Sequence, residues 1–134
     1  MANYCALARS NYFTVKDRSA FETYVADVNL ELITNRDGQV GVMNAGSLDG
    51  AGWPCQRYDE STDDYVDIDV FADIAEHLSD GQVAIFIEIG WEKMRYLVGH
   101  AVAINNAGEC ETVDLNEING HATRLGTDTT AAEY

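Results

Sequence analysis

Apolar positions along this chain switch between a spacing of two and a spacing of three to four, and each switch marks an element. From Val83 to Ile89 the alternation is strict: Val83, Ile85, Ile87 and Ile89 point one way, and Ala84, Phe86 and Glu88 the other. Phe21, Tyr24, Val25 and Val28 recur at i, i+3, i+4 and i+7, as do Phe71, Ile74, Ala75 and Leu78, so each set predicts a helix. Asp17 or Ser19 starts the first, where Ser19-Ala-Phe-Glu22 fits a capping box. Asp67 or Asp69 caps the second, and Gly81 sits just past its end.

The stretch from Tyr4 to Val15, rich in Tyr, Phe, Thr and Val, reads as a first strand. Leu30–Ile33 and Val40–Met43 flank Asn35-Arg-Asp-Gly38, a turn that predicts a hairpin. Asn44 to Gly52 is a glycine-rich loop, and Tyr58 to Asp64 continues as an acidic, turn-rich connection. Met94 to Ile104 reads as a second long strand, apolar on both faces over Leu97 to Ile104, and is expected in the middle of a sheet, with Glu109 to Val113 at its edge. Asp114-Leu-Asn-Glu117 begins a short helix that uses Leu115, Ile118, Ala122 and Leu125. Hairpins dominate, so the expected fold is α+β: an antiparallel sheet of about five to six strands, two main helices packed on one face and a short C-terminal helix. Residues 1–126 form one domain by this reading, with 127–134 a frayed tail.

Charge changes the picture. The chain carries 23 Asp and Glu against 8 Lys and Arg, a formal net charge of −15. Between Arg57 and Lys93 there are 11 acids and no Lys or Arg, so that stretch holds −11 of the total. Such a field opposes direct binding to nucleic acid or to an anionic membrane and points to a basic protein surface as partner or to plain solubility. No apolar run approaches the ~18 residues that span a bilayer, and the start predicts no signal peptide. Cys5, Cys55 and Cys110 are odd in number and have no CxxC spacing, which fits reduced thiols in a cytoplasm.

The acids themselves are the main candidates. Asp69, Asp73, Glu76 and Asp80 fall at i, i+4, i+7 and i+11 on the second helix, a stripe with neighbours about 5–6 Å apart, comparable with phosphate spacing along a nucleic-acid strand. Two readings fit: a surface that imitates a phosphate row, or a solvated helix face. Asp59, Glu60, Asp63, Asp64 and Asp67 precede it and extend the candidate partner-binding surface. They lack the mid-loop Gly and terminal Glu of a calcium loop, so no metal is expected. His77, His100 and His121 are scattered, without a zinc or metalloprotease spacing. His100 shares a strand face with Tyr96, Val98, Val102 and Ile104 and could meet Cys5 or Cys55 in space. No catalytic motif or cofactor-binding motif is present, so neither catalytic residues nor a cofactor is expected. Trp53, beside Pro54, is expected to plug the end of the sheet or to anchor an interface, and Trp91 to stand in a tight turn as a candidate anchor. Lys93 and Arg95 are placed to pair with Glu88 or Glu92.

Ala8-Arg-Ser-Asn-Tyr-Phe-Thr-Val-Lys-Asp17, Gly52-Trp-Pro54, Ala75-Glu-His-Leu-Ser-Asp80 and Glu92-Lys-Met-Arg-Tyr-Leu-Val-Gly-His-Ala-Val-Ala-Ile-Asn105 together resemble a family of small acidic proteins of phages, plasmids and other mobile elements. The likeness covers most of residues 4–125 and brings no activity to any residue. Mobile elements often encode acidic proteins that block restriction or CRISPR defences by imitating DNA. The resulting expectation is a DNA-mimic-type inhibitor of a basic nucleic-acid-binding host factor. A self-associating accessory protein, pairing through the apolar sheet face or Trp91, is one rival and includes a homodimer. A small enzyme or ligand-binding domain using the glycine-rich loop and His100 is the other.

Overall fold

Two long strands carry the architecture. The computed structural model describes residues 4–44, 52–92 and 96–132. Strand β1 (Tyr4–Ser10) leads to helix α1 (Arg18–Asp27), strands β2 (Leu30–Thr34) and β3 (Val40–Asn44), and a separate hairpin, β4 (Gln56–Asp59) with β5 (Asp64–Asp67). Helix α2 (Val70–His77), β6 (Val83–Glu92), β7 (Tyr96–Asn105), β8 (Cys110–Asp114), a single 3₁₀ turn at Leu115–Glu117 and α3 (Ile118–Ala122) complete it. The main sheet runs β2-β3-β1-β6-β7-β8, antiparallel throughout. The protein is therefore α+β, and among the described residues no helix is long and apolar enough to cross a membrane.

Local chemistry sets most boundaries. Asp17, not Ser19, caps α1, accepting from the Ala20 amide at 3.1 Å. Asn35 closes the β2–β3 turn by accepting from the amides of Asp37 and Gln39, while Gly38 takes φ +80°. The first strand is shorter than its composition predicts, because pairing slips by one residue after Ser10: Asn11 N still donates to Ile85 O, and the four-residue step from Arg9 to Phe13 opposes a three-residue step from Met43 to Val40. Phe13 then bridges to Val40, and Val15 to Leu78. At the β1–β3 seam only Arg9 and Met43 are in register, and the Asn44 side chain completes the pairing by bonding Ala8 N and Ala6 O.

The largest fully buried side chains are Phe13, Phe21, Phe86, Ile74, Leu78, Val40 and Val42. Both main helices feed this cluster, α1 through Phe21 and Val25 and α2 through Val70, Ile74 and Ala75, beside Ala84 and Phe86 of β6. Phe71 and Trp53 close it at one end, with ring centroids 4.8 Å and 5.2 Å from Phe86.

Three expectations are corrected. The acidic connection contains a hairpin: Arg57–Tyr58 pairs with Tyr65–Val66, and the two tyrosine rings meet edge-on at 5.5 Å. The turn acids hide this signal, because the strands are only four residues each. Helix α2 stops at His77, since Leu78 turns extended to bridge Val15. The short C-terminal helix buries nothing, and Leu115, Ile118 and Leu125 are exposed.

Candidate functional site

The acids between Asp59 and Asp80 line the hairpin and α2, but few of them are idle. Asp59 accepts from the amide and hydroxyl of Ser61, bonds that hold its carboxyl below the usual aspartate range. Asp63 accepts the Tyr58 hydroxyl and thereby raises that tyrosine above its ordinary value. Asp67 accepts from Gln56 Nε2 at 3.0 Å, and Asp64 from the neighbouring Tyr65 amide at 2.8 Å. Asp69 is the N-cap of α2, accepting from the Ala72 amide. Asp73 accepts the Tyr24 hydroxyl at 2.8 Å, and burial together with that carboxylate raises Tyr24 far above the usual tyrosine range. Asp80 lies in the turn after the helix and accepts from Asn106 Nδ2 at 2.9 Å. The four-acid helical stripe is therefore broken: of its members only Asp73 and Glu76 lie within α2, and Asp73 is turned to α1. Glu60 and Glu76 are exposed. Among the described residues none of these acids has an ion pair, and Arg57 reaches Asp27 instead, at 3.6 Å.

A second site gathers around Glu88. Its residue is 7% exposed, on the helix-covered face of β6. Oε2 accepts the Tyr4 hydroxyl at 2.6 Å and Oε1 the Trp53 amide at 3.0 Å. His100 Nε2, across the register on β7, stands 4.0 Å from Oε2, too far for a hydrogen bond. Burial and the adjoining carboxylate raise the Tyr4 hydroxyl well above the usual tyrosine range, so it remains a donor. Two glycines make room. A Cβ at Gly52 (φ +77°) would fall 1.9 Å from Glu88 Oε1, and one at Gly90 would fall 2.7 Å from the Tyr4 hydroxyl oxygen. Beside the carboxylate lies a cavity of about 330 Å³ lined by Trp53, Cys55, Asp69, Phe71, Glu88 and His100, among others. His100 and Cys55 thus share a cavity, whereas Cys5 lies across from Trp91 on the other face of the sheet. Lys93 and Arg95 lie outside the described residues. Among those described, no group of three or more His, Cys, Asp or Glu could hold a metal.

The third feature is the other face of the sheet. Leu7 of β1, Val83, Ile85, Ile87 and Ile89 of β6, Leu97 of β7 and Val113 of β8 are all exposed, with Leu7 at 56%, Ile89 at 61% and Leu97 at 67%. Register makes them neighbours: Leu7 faces Ile89, Ile87 faces Ala101, and Ala101 faces Val113. Leu115 folds over Gly99, and a shallow apolar groove of about 240 Å³ runs between it and Ile87 and Ile89. Trp91 stands at the end of this face, paired with Cys5 and Leu97 within β6 rather than in a turn. Of the charged residues in β1, β6, β7 and β8, only Arg9 and Glu111 share this face. No protein-family model, no curated protein and no solved structure matches the chain.

Proposed function

We propose that this chain is a non-catalytic assembly module that pairs with a second copy of itself through the open face of its main sheet. The single observation behind this reading is the segregation across the sheet: the acids crowd the hairpin and helix side, and the opposite face is apolar. Fully burying an aliphatic side chain removes on the order of 100 Å² from water. Leu7, Val83, Ile85, Ile87, Ile89, Leu97, Val113 and Leu115, each roughly half exposed, therefore offer on the order of 500 Å² of apolar surface. That lies toward the upper end of what a soluble monomer shows. It is also the apolar share expected of an interface of ~800 Å² per partner. A two-fold axis running along β6 and β7 would set Arg9 of one copy toward Glu111 of the other, a self-complementary contact.

Sedimentation velocity across salt concentration tests it. Raising salt from about 0.1 M to about 1 M shortens the Debye length from ~10 Å to ~3 Å. Self-association should strengthen, because repulsion between copies of net charge −15 is screened while apolar burial persists. Ile89→Lys should give a folded monomer. A wild-type monomer at high concentration in high salt would end the reading.

A second reading is favoured by the acids that have no ion pair among the described residues: the hairpin and α2 present an anionic surface to a basic protein, in the manner of a DNA mimic that occupies a nucleic-acid-binding host factor. Partner association would then weaken steeply with salt. The appropriate variant is Glu60→Lys/Asp64→Lys/Glu76→Lys, which spares the cap made by Asp69 and the Tyr24 bond of Asp73. Capture of the same basic proteins by wild type and variant would remove this second reading and leave the first intact.

A further inference from the structure

We infer that the cavity beside Glu88 is a binding site for an organic cation, a guanidinium or alkylammonium group. A buried carboxylate is expensive unless compensated. Here the compensation is two neutral donors, the Tyr4 hydroxyl and the Trp53 amide, with the His100 ring 4.0 Å from Oε2, and no Lys or Arg lies within ion-pair distance among the described residues. The chain nonetheless packs closely around this group: the Glu88 carboxylate occupies the place of a Cβ at Gly52, whose φ of +77° favours glycine, and Tyr4 lies across Gly90, which the Cys5 carbonyl also crowds, to reach the carboxylate. A group that breaks the rule of an apolar interior and is supported from two strands and a loop marks a site kept for use.

The lining says which ligand. Glu88 and Asp69 both border the cavity, so its charge is negative, and the acidity of the whole chain deepens that potential. Trp53 and Phe71 form aromatic wall, a surface that attracts cations through the ring face. A hydrated metal ion is disfavoured by that apolar wall and by the lack of a metal-holding group of three ligands among the described residues. The cavity has room for one cationic side chain or a small amine. This inference is independent of self-association, because the cavity and the open sheet face lie on opposite sides of β6.

The test uses the full chain with Trp91→Phe, so that Trp53 alone reports by fluorescence. The probes are n-butylguanidinium, n-butylammonium, a capped arginine tripeptide and, as controls, butyrate and butyramide. The expected result is saturable binding of the cations, shifts at the Trp53 amide in ¹⁵N spectra, and little response to the controls. Glu88→Gln should weaken binding by about tenfold or more, and Asp69→Asn, which keeps a capping oxygen, by about two- to threefold, as removal of a near and a peripheral charge would. Tripeptide binding as tight as that of the free guanidinium identifies a protein side chain as the source, and binding of the small amines alone identifies a metabolite. Should Glu88→Gln not fold, alkylation of Cys55, an exposed thiol on the cavity lining, is followed in wild type, where the cations should slow it. Absence of saturable binding, equal binding of butyrate, equal affinity in folded Glu88→Gln, or unslowed Cys55 alkylation overturns the proposal.

Discussion

The two faces of β6 carry residues of one strand into opposite environments. On one, Ala84, Phe86 and Glu88 are buried, and on the other Ile85, Ile87 and Ile89 remain exposed. The bulkier apolar set is outside, against the ordinary expectation that isoleucine goes in. The reason is room. Phe86 on the covered face shares one core cluster with Phe21 and Val25 of α1, Ile74 of α2 and the Trp53 segment, and β1 also turns small side chains, Ala6, Ala8 and Ser10, toward it. The contrast teaches that this sheet has one completed core and one surface whose composition is that of a core without its cover.

The largest test of that contrast compares Phe86→Ala with Ile87→Ala. Phe86 is fully buried, so its truncation should cost about 3–5 kcal/mol in urea unfolding, by transfer and cavity terms together. Ile87 should cost less than about 1 kcal/mol when protein is dilute, and more as concentration rises if the face pairs with itself. Equal costs in dilute protein would mean the open face is covered from within the chain.

Next in size is Tyr4→Phe, which removes the donor from Glu88 Oε2. Leaving a buried acceptor without its partner should cost about 1–3 kcal/mol, with the secondary structure unchanged. No loss would show that the carboxylate finds another donor and that the Tyr4 bond is dispensable.

Smaller effects separate acids with structural work from acids without it. Asp69→Ala should lose about 1 kcal/mol through the α2 cap, whereas Glu76→Ala should stay within about 0.5 kcal/mol. Both residues belong to the stripe that sequence spacing groups together, so unequal results confirm that the tertiary structure divides it.

The last test has no effect at neutral pH. Tyr4 and Tyr24 are raised above the ordinary tyrosine value of 10.0 by burial, and then by the carboxylates of Glu88 and Asp73. The folded state holds these protons more tightly than the unfolded state. Their contribution is therefore complete below pH ~10 and is lost as pH rises beyond it. In a spectrophotometric titration of the 7 tyrosines, these two should ionise only as the protein unfolds. Normal ionisation of all of them in folded protein would contradict the buried hydroxyl–carboxylate pairs.

Much of the fold was legible because it is local. The Asn35–Gly38 turn, the periodicity of both helices, the alternation in β6 and the edge position of β8 all depend on neighbours within a few residues. The hairpin at Gln56–Asp67 was not, because its strands are short and its turn acids resemble any solvated loop. The candidate site divides the same way. The concentration of acids is a property of the sequence, but the work done by Asp69, Asp73 and Asp80 depends on Ala72, Tyr24 and Asn106, set by helix ends and packing. The Glu88 site left two traces, Gly52-Trp-Pro54 and a histidine mid-strand, and neither names the carboxylate they surround.

By itself, then, the sequence determined an α+β chain with a charge distribution concentrated in its middle third, since periodicity and charge are properties of residues in order. Only the tertiary structure decided which face of β6 would be covered, and it alone brought Tyr4, Trp53 and His100 to Glu88. A period of two makes both faces of a strand equally available, and cross-strand partners from distant segments choose between them.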